Sequence, residues 1–120
     1  MRAIAQVLVA LVALLHAYFL VLEMFLWTKP AGRRAFGTTQ EQAEQSKVLA
    51  MNQGLYNGFL AAGLVWGLTL GAAGRSVVIF FLVCVIAAGV FGAATASRKI
   101  LWVQALPGLL ALVAWMIARQ

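Results

Sequence analysis

Hydrophobic residues in this chain fall into four long blocks, not into the narrow stripes of water-soluble helices. The first runs from Ala3 to Trp27, broken only by Gln6, His16 and Glu23. A polar stretch, 28–47, separates it from further blocks at about 48–72, 77–96 and 100–118. Short breaks at Gly74-Arg75-Ser76 and Ser97-Arg98-Lys99 divide the last three. Each block is close to the ~20 residues that cross a hydrocarbon core of about 30 Å. The pattern predicts an all-α integral membrane four-helix bundle forming one domain over residues 1–120. The first block opens like a secretory signal, with Arg2 before an apolar run. It continues far beyond the roughly 7–15 apolar residues of such a signal, so an uncleaved span is expected.

Local signals set the expected helix ends. Lys29-Pro30-Ala31-Gly32 should stop the first helix, because Pro30 has no amide donor and disfavours helix at the residue before it. Thr38 and Glu41 fit a capping box with Thr38 as N-cap, which starts the second helix near Thr39. Extended to Ala72, that helix is about 50 Å long and must project about two to three turns beyond the membrane. Pro107 removes a backbone bond to Val103 and predicts a kink in the fourth helix.

Composition and charge sharpen this picture. With 64% hydrophobic and 10% charged residues, the chain lies far from the soluble average of about 45–50% and about 25%. Nine Lys and Arg against Glu23, Glu41 and Glu44 give a net charge of +6. The bases sit at the ends of apolar blocks, which points to anionic lipid as the partner and away from nucleic acid. Lys29, Arg33, Arg34, Lys47, Arg98 and Lys99 lie on one side, against Arg2, Arg75 and Arg119 on the other. The positive-inside rule then places 28–47 in the cytoplasm and both termini outside, in a multi-pass protein of the cell inner membrane. Trp27 and Trp102 fall at the cytoplasmic boundary and Trp66 and Trp115 at the outer one, as an aromatic belt requires. Cys84 is the single cysteine, sits in an apolar block and offers no disulfide framework.

Polar residues inside a membrane are costly and tend to be functional. Counted from Trp27, Glu23 lies about 6 Å deep and His16 about 16 Å. Counted from Val48, Asn52 lies about 6 Å deep, Gln53 about 7 Å, and Tyr56 and Asn57 about 12–14 Å. Gln104 is about 6 Å beyond Ile100. The outer half carries little that is comparable beyond Gln6 and Thr69. This asymmetry predicts a cytoplasm-facing pocket of Glu23, Asn52 and Gln104, with Gln53 and Asn57 beside them and His16 and Tyr56 as its floor. Lys47 and Arg98 are the candidate contacts for an anionic group. The competing explanation is polar side chains that only bond helix to helix. His16 and Glu23 are too few, and about 10 Å apart along the helix, to hold a metal. Nothing in the sequence calls for a cofactor. Small residues form two rows, Gly54-Gly58-Ala62 and Gly63-Gly67-Gly71, on different sides of the second helix. Such rows let helices approach closely, within one chain or in a homo-oligomer.

The stretch from Met51 to Gly63, with Asn52, Gln53, Gly54, Tyr56, Asn57 and Gly58, resembles the signature of a family of small bacterial membrane proteins. That family is catalogued as domain of unknown function 1304. His16-Ala17-Tyr18-Phe19, Leu22 to Trp27 and Phe36-Gly37 resemble the same family, so the likeness covers essentially the whole chain. It implies a four-span protein and no particular activity. A more distant likeness is to the four-span glutathione and eicosanoid enzymes, the MAPEG superfamily, with Lys47, Asn52, Tyr56 and Arg98 in similar places. No acid stands three or four residues after Asn52, and Lys47 precedes it by one residue too many.

Three classes of function fit these residues, and the sequence does not decide whether the protein is an enzyme. A polar pocket could bind or move a small amphipathic molecule. A MAPEG-like transferase would hold a polar co-substrate with Asn52, Tyr56 and Arg98 and act on a lipophilic substrate. A structural partner would assemble other membrane proteins through its glycine rows.

Overall fold

The computed structural model describes residues 1–118, and the Arg119 of the charge count lies outside them. The chain is all-α, with five α-helices among the described residues. These are α1 (Arg2–Met24), α2 (Pro30–Phe36), α3 (Gln40–Thr69), α4 (Arg75–Thr95) and α5 (Leu106–Ile117). A 3-10 turn at Gly71–Gly74 precedes α4, and a π-helical turn at Leu101–Ala105 precedes α5.

The polar stretch is where the sequence expectation needs correcting. The first helix stops at Met24, short of the expected Trp27, so Pro30 does not end it but opens a helix of its own. Proline suits the first helical position because the amide it lacks is unpaired there anyway. Gly37, at φ 66°, closes α2 in the left-handed conformation that glycine adopts without strain. The capping box also shifts by one residue. Thr39 Oγ1 accepts from the Gln42 amide at 3.1 Å, and Gln42 Oε1 accepts from the Thr39 amide at 2.9 Å. Thr39 and Gln42 therefore start α3, not Thr38 and Glu41, and the Thr38 hydroxyl is buried without a partner. At its other end α3 stops at Thr69 rather than Ala72, since Gly71 turns the chain at φ 61°. α4 then begins at Arg75, inside the break expected at Gly74-Arg75-Ser76.

Arg2–Met24 and Gly71–Thr95 are long and apolar enough to cross a membrane, and Leu101–Ile117 is a shorter apolar helix. α3 is longer than either, at 30 residues, but Asn52, Gln53 and Asn57 lower its average hydropathy. Burial points the same way as length. On α1 the exposed positions include Ile4, Val7, Leu11, Leu14, Tyr18 and Val21, an apolar stripe at helical spacing that Phe25 continues just beyond the helix. The opposite face is buried and carries His16 and Glu23. A soluble protein hides the apolar face and exposes the polar one; this reversed arrangement suits lipid.

The chain forms two compact units. The first comprises Met1–Ala13 and the chain from Ala62 onward. Here α4 packs on the π-turn and α5, with Val78, Leu82 and Val85 buried against Gly108, Ala111 and Trp115. A Cβ at Gly89 would stand 2.6 Å from the Ala105 backbone nitrogen, so glycine is what permits that approach. Arg75 closes the far end of α5, donating to the carbonyls of Trp115 (3.2 Å), Met116 (3.2 Å) and Ala118 (3.1 Å). Trp115 returns a bond from Nε1 to the Arg75 carbonyl at 3.2 Å. It is a buried core residue, contrary to its expected place in an aromatic belt, whereas Trp66 and Trp102 are exposed.

The second unit is Leu14–Ala61. In it α3 lies on α1 through Gly54 and Gly58, where added Cβ atoms would meet Met24 and Leu20, each at 2.6 Å. The other glycine row serves the first unit, Gly63 against Phe81 and Gly67 against Val78. Both rows thus have neighbours within the chain.

Candidate functional site

The close approach at Gly54 determines what surrounds Glu23. A Cβ at Gly54 would stand 3.1 Å from the Glu23 Cβ, so the α3 backbone runs directly beside that side chain. Asn57, one turn further on, donates from Nδ2 to Glu23 Oε1 at 2.5 Å. Gln53, expected beside Glu23, is exposed on α3. Glu23 is 1% exposed and Asn57 8%, so the pair is internal and does not reach outward for the interface. An acid buried this fully requires such partners, because an unpaired one would forfeit its solvation without return.

Chain geometry around the end of α1 builds a cleft over this pair. Trp27 Nε1 donates to Ser46 Oγ at 3.1 Å, and the Trp27 ring packs on Phe36 with centroids 4.9 Å apart. Arg33 Nε donates to the Thr28 carbonyl at 3.3 Å. Gly32 lies so close to the Leu26 carbonyl that no side chain fits between them. The Phe36, Arg33 and Gly32 contacts hold α2 against the segment joining it to α1, and the Trp27 bond ties that segment to α3. The cleft encloses about 280 Å³, and its lining includes Glu23, Phe25, Trp27, Thr28, Lys29 and Lys47. Lys29 and Lys47 are themselves exposed, while Glu23 is buried. A buried acid therefore shares one cleft with two exposed lysines.

The other expected pocket residues divide clearly. Asn52 is exposed, and its Nδ2 donates to the Val48 carbonyl of its own helix at 3.1 Å, so it does not meet Glu23. Tyr56 is exposed as well, packed near Phe59 with centroids 6.1 Å apart, and forms no pocket floor. His16 is fully buried on the same face of α1 as Glu23, its ring edge-on to Phe19 at 5.3 Å. Gln104 is half-buried and belongs to the first unit, as does the exposed Arg98. Both His16 and Gln104 have interaction partners.

Depth along the helix gave Asn52 and Glu23 one level, but rotation decides contact. Ala50, Gly54, Asn57, Ala61 and Leu64 are buried at the i, i+4, i+7 spacing of a packed seam. Asn52 stands about 140° around the helix from Asn57, at 100° per residue. The glycines already marked the packed face, so Asn57 could have been preferred on that signal. Lys29 was readable only as a boundary anchor; its place on the cleft depends on the turn into α2, which Pro30 sets.

Residues 10–116 match the family described as a protein of unknown function, DUF1304. The chain belongs to that family. A relative, the uncharacterized protein YpaA of Lactococcus lactis subsp. lactis (strain IL1403), is 32% identical over 115 residues. That alignment covers 94% of this chain and 97% of the relative, so the two are alike from end to end. No solved structure matches the chain. In this family member the cleft beside Glu23 lies within the Leu14–Ala61 unit.

Proposed function

We propose that the chain is a four-span protein of the cell inner membrane whose cytoplasm-facing cleft binds or moves a small amphipathic molecule. One observation carries this reading: a buried, hydrogen-bonded Glu23 lines a cleft of about 280 Å³ whose lining also includes Lys29 and Lys47. Glu23 is 1% exposed and forms a buried part of that lining, beside the exposed Lys29 and Lys47. The excess of bases at the ends of α1 and α4 supports a cytoplasmic 28–47 segment and outward termini.

The transferase reading draws no support from Asn52 or Tyr56, both exposed on α3. Self-association or assembly of other membrane proteins would have to use faces other than the glycine rows, which have neighbours within the chain.

The test is photocrosslinking in native membranes with a lysophospholipid bearing its reactive group near the head. The expected adduct lies within residues 23–29 or at Lys47 and is suppressed by excess unlabelled lipid. Adducts confined to the outward stripe of α1 would remove the cleft from consideration. Orientation is checked separately by cysteine labelling in a Cys84→Ala background. Gln45→Cys should react only from the cytoplasmic side and Ser76→Cys only from the opposite one.

A further inference from the structure

We infer that the cleft selects an amphiphile whose head carries an ammonium beside an anionic group, as a zwitterionic phospholipid does. This rests on the reading of the cleft as a ligand site. The argument is an inventory of donors and acceptors. An ionised carboxylate offers about four lone-pair sites and no donor. Asn57 satisfies part of that capacity at Glu23, and the same side chain lines the cleft. What remains accepts a hydrogen-bond donor, most strongly a cationic one. Lys29 and Lys47 offer the reverse: three donors each and no acceptor. A simple anion entering the cleft would meet the Glu23 carboxylate, and a simple cation would meet two ammonium groups. Like charges brought together in a desolvated site are strongly unfavourable. A zwitterion places its ammonium on the buried acid and its phosphate between the two exposed lysines.

A membrane source for that zwitterion follows from the cleft wall. Phe25 lines the cleft and is also exposed, continuing the outward stripe of Val21 and Tyr18 on α1. An acyl chain attached to the head has an unbroken apolar surface to follow away from the cleft. A free zwitterionic head group gains nothing from it.

Native mass spectrometry of the detergent-solubilised full chain tests this. Phosphatidylethanolamine, phosphatidylglycerol and diacylglycerol of identical acyl chains are titrated in turn, and O-phosphoethanolamine is added as a competitor. The wild type should prefer phosphatidylethanolamine over phosphatidylglycerol by about tenfold, the scale of one charge-assisted hydrogen bond. Glu23→Gln should reduce that preference to near one while leaving phosphatidylglycerol binding in place. The pair Lys29→Gln and Lys47→Gln should weaken both phospholipids towards diacylglycerol. Competition by O-phosphoethanolamine would show that the head alone suffices, and its failure that the acyl chain is needed. Gln keeps an acceptor for Asn57, and the two lysines are exposed, so all variants should retain the wild-type circular dichroism. The wild-type preference is decisive without any variant. Equal binding of both phospholipids, still dependent on the lysines, would overturn the zwitterion and leave the cleft reading standing. Binding that ignores all three side chains would overturn both.

Discussion

Substituting leucine at Asn57 and, separately, at Asn52 separates rotation from depth as the determinant of the site. The two residues share a helix and a chemical type, and leucine is close to asparagine in shape. Asn57 makes its bond to Glu23 from a buried position, whereas Asn52 bonds only its own helix from an exposed one. In water-soluble proteins a hydrogen bond to a charged group contributes about 1.5–3 kcal/mol. Bonds between membrane helices contribute less, about 0.6 kcal/mol on average and up to about 1.7, because the separated helices find other partners. Asn57→Leu removes that donor from Glu23 and should cost about 0.6–1.7 kcal/mol. Asn52→Leu should lie within about 0.5 kcal/mol of wild type. Reversible unfolding in mixed micelles with increasing SDS, followed by circular dichroism, measures both. A double variant carrying Glu23→Leu and Asn57→Leu should lose less than the sum of the single losses, since no buried polar group is left alone. Equal losses at the two asparagines, or strict additivity in the double variant, would refute the pairing.

Three further outcomes follow from other parts of the chain. Arg75→Gln should destabilise by about 1–3 kcal/mol in the same assay, because the last carbonyls of α5 lose their guanidinium. Lysine at that position should recover only part of the loss, having no planar fork to span several carbonyls. Gly89→Ala should cost about 1–3 kcal/mol, since the new methyl meets the Ala105 backbone and not a side chain that could swing away. Thr39→Ala should cost about 1 kcal/mol and raise amide exchange at residues 41–43, while Thr38→Ala leaves that exchange unchanged.

The apolar blocks made the helices of this chain legible, and the polar connections hid the details. α1 and α4 followed from length and hydropathy alone. α2 escaped because seven residues are too few to show a period, although Pro30 and Gly37 bracketed it in the way that starts and stops a helix. The capping box was ambiguous by one residue because consecutive threonines each stand three residues before a Glu or Gln, and the backbone chose Thr39. Glu23 and Asn57 were both visible as intramembrane polar residues, but a level is only one coordinate of a cylinder. Their contact also needed the angle at which α3 lies on α1, which Gly54 determines by removing a side chain. Trp115 looked like a boundary residue from its position, yet its side chain is buried and its indole nitrogen bonds the Arg75 carbonyl.

The wide turn ahead of α5 affects how the length of this chain can change. At Leu101–Ala105 the Leu106 amide bonds back to Leu101, so one turn holds an extra residue. Pro107, with no amide to offer, follows directly. Deleting one residue from this turn returns it to ordinary α geometry, with Gly108, Ala111 and Trp115 still facing α4. The same deletion one turn later would rotate everything beyond it by about 100° and carry Trp115 off its buried face. Deletion of a single residue should therefore be tolerated at 101–105 and destabilising within Leu106–Ile117.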